Sequence, residues 1–264
     1  MVKGKRTKVV DLWLRMRGRC QRNLSQLLCR RLISLRNPRP LISFTFDDFP
    51  HSALSVGGAI LQSYGIRATY YTALGLMGTR TLSEMFSAGD LKELVAAGHE
   101  IGCHTFHHCH SWDTHPAVFE ESIIENKRAL NRLMPDTSFK TFSFPMAWPR
   151  PKNKLRAAKH YVGCRSGGQT FNVGTADINN LKGYFLEQSR DDPTAVERVI
   201  EMNSRSRGWL IFATHDISEL PSYCGCRPAF FEAVVRQAVA SGATILPVVE
   251  ALQAATGRRL SEQG

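Results

Sequence analysis

From Leu41 onward the chain alternates short β-prone runs with amphipathic stretches, and few folds accept that order. Candidate strands are 41–46, 67–72, 99–103, 141–144, 161–164, 209–214 and 244–248. Candidate helices fill 55–64, 87–97, 116–133, 193–204 and 229–240. Parallel strands joined by crossover helices satisfy this alternation, and seven such units suggest an α/β barrel. Gly65, Gly98 and Gly242 stand where a helix C-terminus favours a residue with positive φ. Polar residues then fall at the carboxyl ends of the strands: Asp47 and Asp48 after the first, His104 after the third, His215 and Asp216 after a late one. In parallel α/β architectures those ends carry the site.

At 264 residues and 43% hydrophobic content the chain can bury a substantial core. Its formal charge of +11 is not spread evenly. Residues 1–40 hold twelve of the 34 Lys and Arg and one of the 23 acids, Asp11, so this arm carries the whole excess. The body, 41–256, is neutral with the short tail 257–264, which excludes a general polyanion binder. Within the arm Val9, Leu12, Trp13, Met16, Leu24, Leu27, Leu28, Leu32 and Leu35 recur at mostly helical intervals among arginines, which predicts a basic amphipathic N-terminal helix. Such a segment can lie on an anionic membrane surface, dock on a protein, or pack its leucines on the body. It also resembles an organellar transit peptide. Nucleic acid is not the expected partner, because no binding motif accompanies the charge. Pro38 and Pro40 close the arm.

No apolar run approaches the roughly 18 residues of a membrane-spanning helix, so no transmembrane helix is expected. Seven cysteines form no disulfide framework and no secretory segment precedes them, which points to reduced thiols and a cytoplasmic location, with the arm on the inner membrane surface as the peripheral variant.

Two segments carry chemistry. His104-Thr105-Phe106-His107-His108 places imidazoles at i and i+4, which on a helical turn share a face and can hold one metal ion; a polar surface loop is the alternative, since His110 and His115 follow. Ser43-Phe44-Thr45-Phe46-Asp47-Asp48 puts two acids at the end of an apolar strand, where neighbouring side chains diverge and one can bind metal while the other faces substrate. Alone, Asp47 or Asp48 would read better as a cap of the next helix.

Together with Phe142-Ser143-Phe144-Pro145 and Phe212-Ala213-Thr214-His215-Asp216, these segments resemble the polysaccharide deacetylase (NodB-homology) family, carbohydrate esterase family 4, in the family's order and over nearly the whole body. The resemblance implies a distorted (β/α) barrel of about seven parallel strands and an enzyme that removes an acetyl or formyl group from the nitrogen of an amino sugar in an oligosaccharide, polysaccharide or lipid-linked glycan. It implies that Asp48, His104 and His108 ligate a divalent metal, with zinc the expected ion. Asp47 would be the general base and His215 the acid that protonates the leaving amine. Met146 would offer its backbone N–H to the oxyanion, Trp148 would stack on a sugar ring, and Thr45 and Thr105 would buttress. An inactive relative that binds glycan or a membrane-associated partner is the alternative.

Two family features are missing. Ser143-Phe144-Pro145-Met146 stands where many members carry Arg-x-Pro-Tyr, whose Arg holds the base, and 188–192 does not match the element that orients the acid His. Arg190 and Asp191 are the candidate substitutes in that region. Asp216 reads as an exposed turn acid, and His107, His110 and His115 as loop residues.

Overall fold

The computed structural model describes residues 8–146 and 148–257. The first seven residues of the arm and all of the predicted tail except Gly257 lie outside them. Helix α1 (Lys8–Leu27) leads into strand β1 (Leu32–Ser34). The body then runs β2 (Leu41–Phe46), a π-helical turn (Ala53–Gly58) continued by α2 (Ala59–Ser63), β3 (Thr69–Thr72), α3 (Ala88–Ala96), β4 (Glu100–Cys103), α4 (Pro116–Leu133), β5 (Thr141–Ser143), α5 (Pro151–Ala158) and β6 (Gly163–Ser166). It finishes with β7 (Thr175–Asp177), β8 (Leu181–Lys182), β9 (Tyr184–Phe185), α6 (Pro193–Ser206), β10 (Trp209–Thr214), α7 (Pro228–Ala240), β11 (Thr244–Ile245) and α8 (Val248–Thr256).

All seven predicted strands are present, in a parallel sheet of order β8-β6-β5-β4-β3-β2-β10-β9, with β11 also against β2. Strands β8 and β9, separated only by Gly183, lie at the two ends of that order. One bent strand therefore closes the sheet, and the barrel has one more strand position than the seven predicted. Gly183 is required there, because a Cβ would stand 2.9 Å from the Ser166 carbonyl oxygen. The predicted strand 244–248 is cut to two residues, since Pro247 precedes the first turn of α8. The predicted helix ends hold: Gly65, Gly98 and Gly242 have φ of +66°, +76° and +68°.

Strand alternation sorts the side chains. Ile42, Phe44 and Phe46 of β2 point outward, where Phe44 and Phe46 meet Phe231 of α7 at ring separations of 5.8 and 5.6 Å. Leu41, Ser43 and Thr45 point into the barrel. There Leu41 joins Trp209 and Ile211 of β10, Leu181 of β8 and Leu252 of α8 in a small apolar floor. Trp209 Nε1 donates to Ser43 Oγ at 3.0 Å and Thr45 Oγ1 to the Phe212 carbonyl at 2.8 Å. The next residue in the inward row of β2 is Asp47, and in that of β10, His215.

The arm is anchored by polar groups. Strand β1 pairs antiparallel with β7, and the Arg31 guanidinium donates to the Tyr161 and Val162 carbonyls. The fully buried ammonium of Lys154 donates to the carbonyls of Ser25 and Leu28 and pairs with Asp177 at 2.7 Å. Of the arm's apolar residues, Ile33 and Leu35 pack against the floor of the barrel, whereas Leu24, Leu27, Leu28 and Leu32 are exposed.

Candidate active site

Asp47, Asp48, His104, His108 and His215 converge at the carboxyl ends of β2, β4 and β10. Asp48 turns away from the inward row because its backbone is left-handed, with φ of 61°. Its Oδ1 lies 3.4 Å from His104 Nε2 and 3.2 Å from His108 Nε2. The two histidines do not share a helical turn as predicted. They sit on a bent loop in which Thr105 and His108 have φ of 60° and 48°, pinned by Thr105 Oγ1 accepting from the Cys109 N–H at 2.9 Å.

The protonation of these groups indicates what the cluster can hold. The Ser143 carbonyl only accepts, so the 2.8 Å contact with His104 Nδ1 makes that nitrogen the donor and leaves Nε2 with a free lone pair. Burial keeps the ring neutral, lowering its pKa to about 4 despite the nearby Asp47 and Asp48 carboxylates. A lone pair therefore faces a carboxylate oxygen that is buried and accepts no hydrogen bond among the described residues. A cation between them removes the repulsion, and a carboxylate with two imidazoles is a common donor set for a divalent ion. The three ligand atoms lie within 4.8 Å of one another.

Asp47 is 4% exposed and is bound by Arg165, whose Nη2 donates to both carboxylate oxygens. Ser143 Oγ bridges the pair, donating to Asp47 Oδ1 at 3.3 Å and accepting from Arg165 Nη2. Burial would raise the Asp47 pKa, but Arg165 first, then His104 and His215, hold it at about 2. The guanidinium is itself held between the rings of Tyr71 and Phe185, at 5.3 and 5.4 Å. Sequence reasoning missed Arg165. Ser143 and Arg165 are register partners on β5 and β6, so the charge absent at 143 arrives from the adjacent strand. The available signal was a lone arginine inside the run Gly163-Cys164-Arg165-Ser166.

His215 Nδ1 donates to the Cys224 carbonyl at 3.2 Å, which aims Nε2 at the site, 4.0 Å from Asp48 Oδ2. A backbone oxygen thus orients this ring. Arg190 and Asp191 do not: Arg190 is exposed, and Asp191 faces Arg227 at 3.9 Å. Glu187 is a second unforeseen residue, an acid. Burial raises its pKa to about 7, with His215 the nearest opposing influence after a backbone hydrogen bond, and its Oε2 is unpartnered among the described residues. Asp216 is buried rather than exposed, accepting from the Ser222 N–H at 2.8 Å and from its hydroxyl, which ties down the loop carrying Cys224. Met146 is exposed with φ of 59°, and Trp148 lines a cavity of about 560 Å³ with Arg22, Asn23 and Gln26 of α1 and Gln169, Phe185 and Gln188 of the barrel mouth. His107 pairs with Glu125 at 3.0 Å, His110 with Asp113 at 3.5 Å, and His115 caps α4.

A family model described as polysaccharide deacetylase matches residues 35–167, half of the chain, and the chain belongs to that family. It is accordingly a hydrolase acting on carbon–nitrogen bonds other than peptide bonds, in a metal-dependent family. No curated protein matches it by sequence. Among solved structures it resembles the chitin deacetylase of Colletotrichum lindemuthianum, with 16% identity and a TM-score of 0.59 over 82% of this chain and 89% of that one. The Bc1960 peptidoglycan N-acetylglucosamine deacetylase gives 14%, 0.59, 86% and 94%. A CE4 family pseudoenzyme from Bacillus anthracis gives 12%, 0.58, 82% and 66%. At these identities the likeness establishes the fold.

Proposed function

We propose that this hydrolase removes the N-acyl group, acetyl or formyl, of an amino sugar within a glycan. The observation that carries the reading is the company the three-ligand cluster keeps: a buried carboxylate, Asp47, and an oriented imidazole, His215, stand beside it. Asp48, His104 and His108 would hold the divalent ion, and zinc suits two imidazoles and a carboxylate. Such an ion supplies a Lewis acid that acidifies water and polarises the acyl oxygen.

The protein's own groups do the rest. Asp47, ionised at neutral pH, accepts the proton of the attacking water, and Arg165 with Ser143 fixes the orientation of its oxygens. His215 Nε2 delivers a proton to the departing amine nitrogen, its Nδ1 being committed to Cys224. Met146 would donate its backbone N–H to the developing oxyanion, and Trp148 would offer a ring face to the sugar.

Amine release from N-acetylglucosamine oligomers by the zinc-loaded protein tests this. Asp47→Asn and His215→Ala are each expected to reduce turnover by about 10²–10⁴-fold. Wild-type rates in both variants overturn the assigned roles. A zinc-loaded wild type that binds the oligomers without releasing amine favours the inactive glycan-binding alternative.

A further inference from the structure

Helix α1 shows three different faces. One faces the body: Ser25 is fully buried, Arg17 reaches Asp113 at 2.6 Å, and the Lys154 ammonium closes on the carbonyls of Ser25 and Leu28. A second, with Arg22, Asn23 and Gln26, lines the cavity at the barrel mouth. The third is apolar and open. Trp13, Met16, Leu24 and Leu27 are 58%, 63%, 38% and 67% exposed. At about 100° per residue they share an arc of roughly 80° on the helix. Leu28 and Leu32 continue the exposed surface, as does Val173, which borders a shallow depression with Leu27, Arg30 and Lys182.

What covers such a face follows from its charge. Arg15, Arg19, Arg22 and Arg30 are all exposed, and no Asp or Glu occurs between residues 12 and 40. A second copy of the chain would set arginine against arginine, and the body, with 22 basic and 22 acidic residues counted together with the tail, offers no compensating acidic excess. An anionic lipid surface meets both demands, with acyl chains for the tryptophan and leucines and headgroups for the arginines. At about 1.5 Å per residue the helix is about 30 Å long, and no described helix is long and apolar enough to cross a membrane, so it would lie in the interface.

We propose that α1 docks this enzyme on anionic bilayers through Trp13, Met16, Leu24 and Leu27, with its cavity-lining face, and hence the barrel mouth, held beside the headgroups. The inference goes beyond the proposed chemistry and does not depend on it. The test is co-sedimentation of the full chain with phosphatidylcholine vesicles with and without phosphatidylglycerol, at low and high salt. Binding is expected only with phosphatidylglycerol and is expected to weaken with salt. The triple variant Trp13→Ser, Leu24→Ser, Leu27→Ser should lose at least about tenfold in affinity, and Arg15→Gln with Arg19→Gln about fivefold per charge. The circular dichroism spectrum of the triple variant should match wild type, which separates lost docking from lost folding. Wild-type protein that stays in the supernatant with anionic vesicles at low salt, or a triple variant that sediments as wild type does, overturns the proposal. So does a concentration-dependent dimer, seen by sedimentation velocity, that the triple variant abolishes without vesicle binding in the wild type.

Discussion

The barrel mouth and the N-terminal helix handle charge and apolar surface in opposite ways. At the mouth, polar groups are drawn inward and three of them are matched, Asp47 by Arg165 and Ser143, His104 by a backbone carbonyl and His215 by another, while Asp48 Oδ1 is left for a cation. Along α1 Arg15, Arg19 and the apolar stripe face outward. A region that does chemistry has to exclude water and fix its dipoles, so removing any one partner is costly. A region that meets another surface keeps its apolar groups accessible, so its substitutions should leave the fold untouched.

Arg165→Met gives the largest expected effect. It strands a buried carboxylate, at a cost of about 3–5 kcal/mol in denaturant unfolding, and misorients Asp47, lowering kcat about 10–100-fold with KM little changed. Ser143→Arg combined with Arg165→Ser, which returns the guanidinium to β5, should recover part of kcat. A single variant with full kcat would break the comparison at its centre.

Zinc comes next. At hundredfold excess over Kd it should stabilise the wild type by about 2.7 kcal/mol and His104→Ala by much less, read as the shift in thermal unfolding on adding the ion.

Acid should then separate body from arm. His99 is buried at the end of the barrel opposite the mouth, just before β4, and its Nδ1 accepts from the Ala68 N–H at 3.0 Å. Burial, reinforced by Arg67, lowers its pKa from 6.5 to about 4. The unfolded chain therefore binds the proton first, and the stability His99 permits is complete above pH 6.5 and is lost as pH falls toward 4. Urea unfolding of His99→Asn should show a shallower loss across that window.

The smallest effect is expected at α1, where Trp13→Ser, Leu24→Ser, Leu27→Ser should change unfolding stability by only about 0.5 kcal/mol per site or less.

Much of this was legible before any coordinates, for physical reasons. Strand β2 and strand β10 are six-residue apolar runs whose alternation forces Asp47 and His215 into one chamber once the sheet closes. Helix α4 announced itself through Pro116 and its spacing. What escaped notice was short or non-local. Strands β8 and β9 are two residues each and owe their existence to the edges they join, not to any propensity of Leu181 to Phe185. Helix α5 is polar enough, Lys152 to Arg156, to read as loop, and the burial of Asn153, Lys154 and Ala157 on the folded body explains it. The Arg165 contact spans 118 residues of chain, and the reading of position 143 looked for the charge on the wrong strand. The His104–His108 pair was seen, while the loop that delivers it was not, because left-handed φ at a threonine and a histidine contradicts their local preference.

That contradiction has a consequence for how the molecule breathes. Asp48, Phe49, Thr105, His108 and Met146 all stand at positive φ around the mouth, each at a cost of about 1–3 kcal/mol relative to a relaxed backbone. These loops keep their shape on loan from the strands beneath them, so the rim should open and reclose many times for each opening of the barrel, as faster amide exchange there would record. A ligand that pins Asp48 to His104 and His108 would quiet the rim first, making the enzyme's gate and its reaction centre the same few residues.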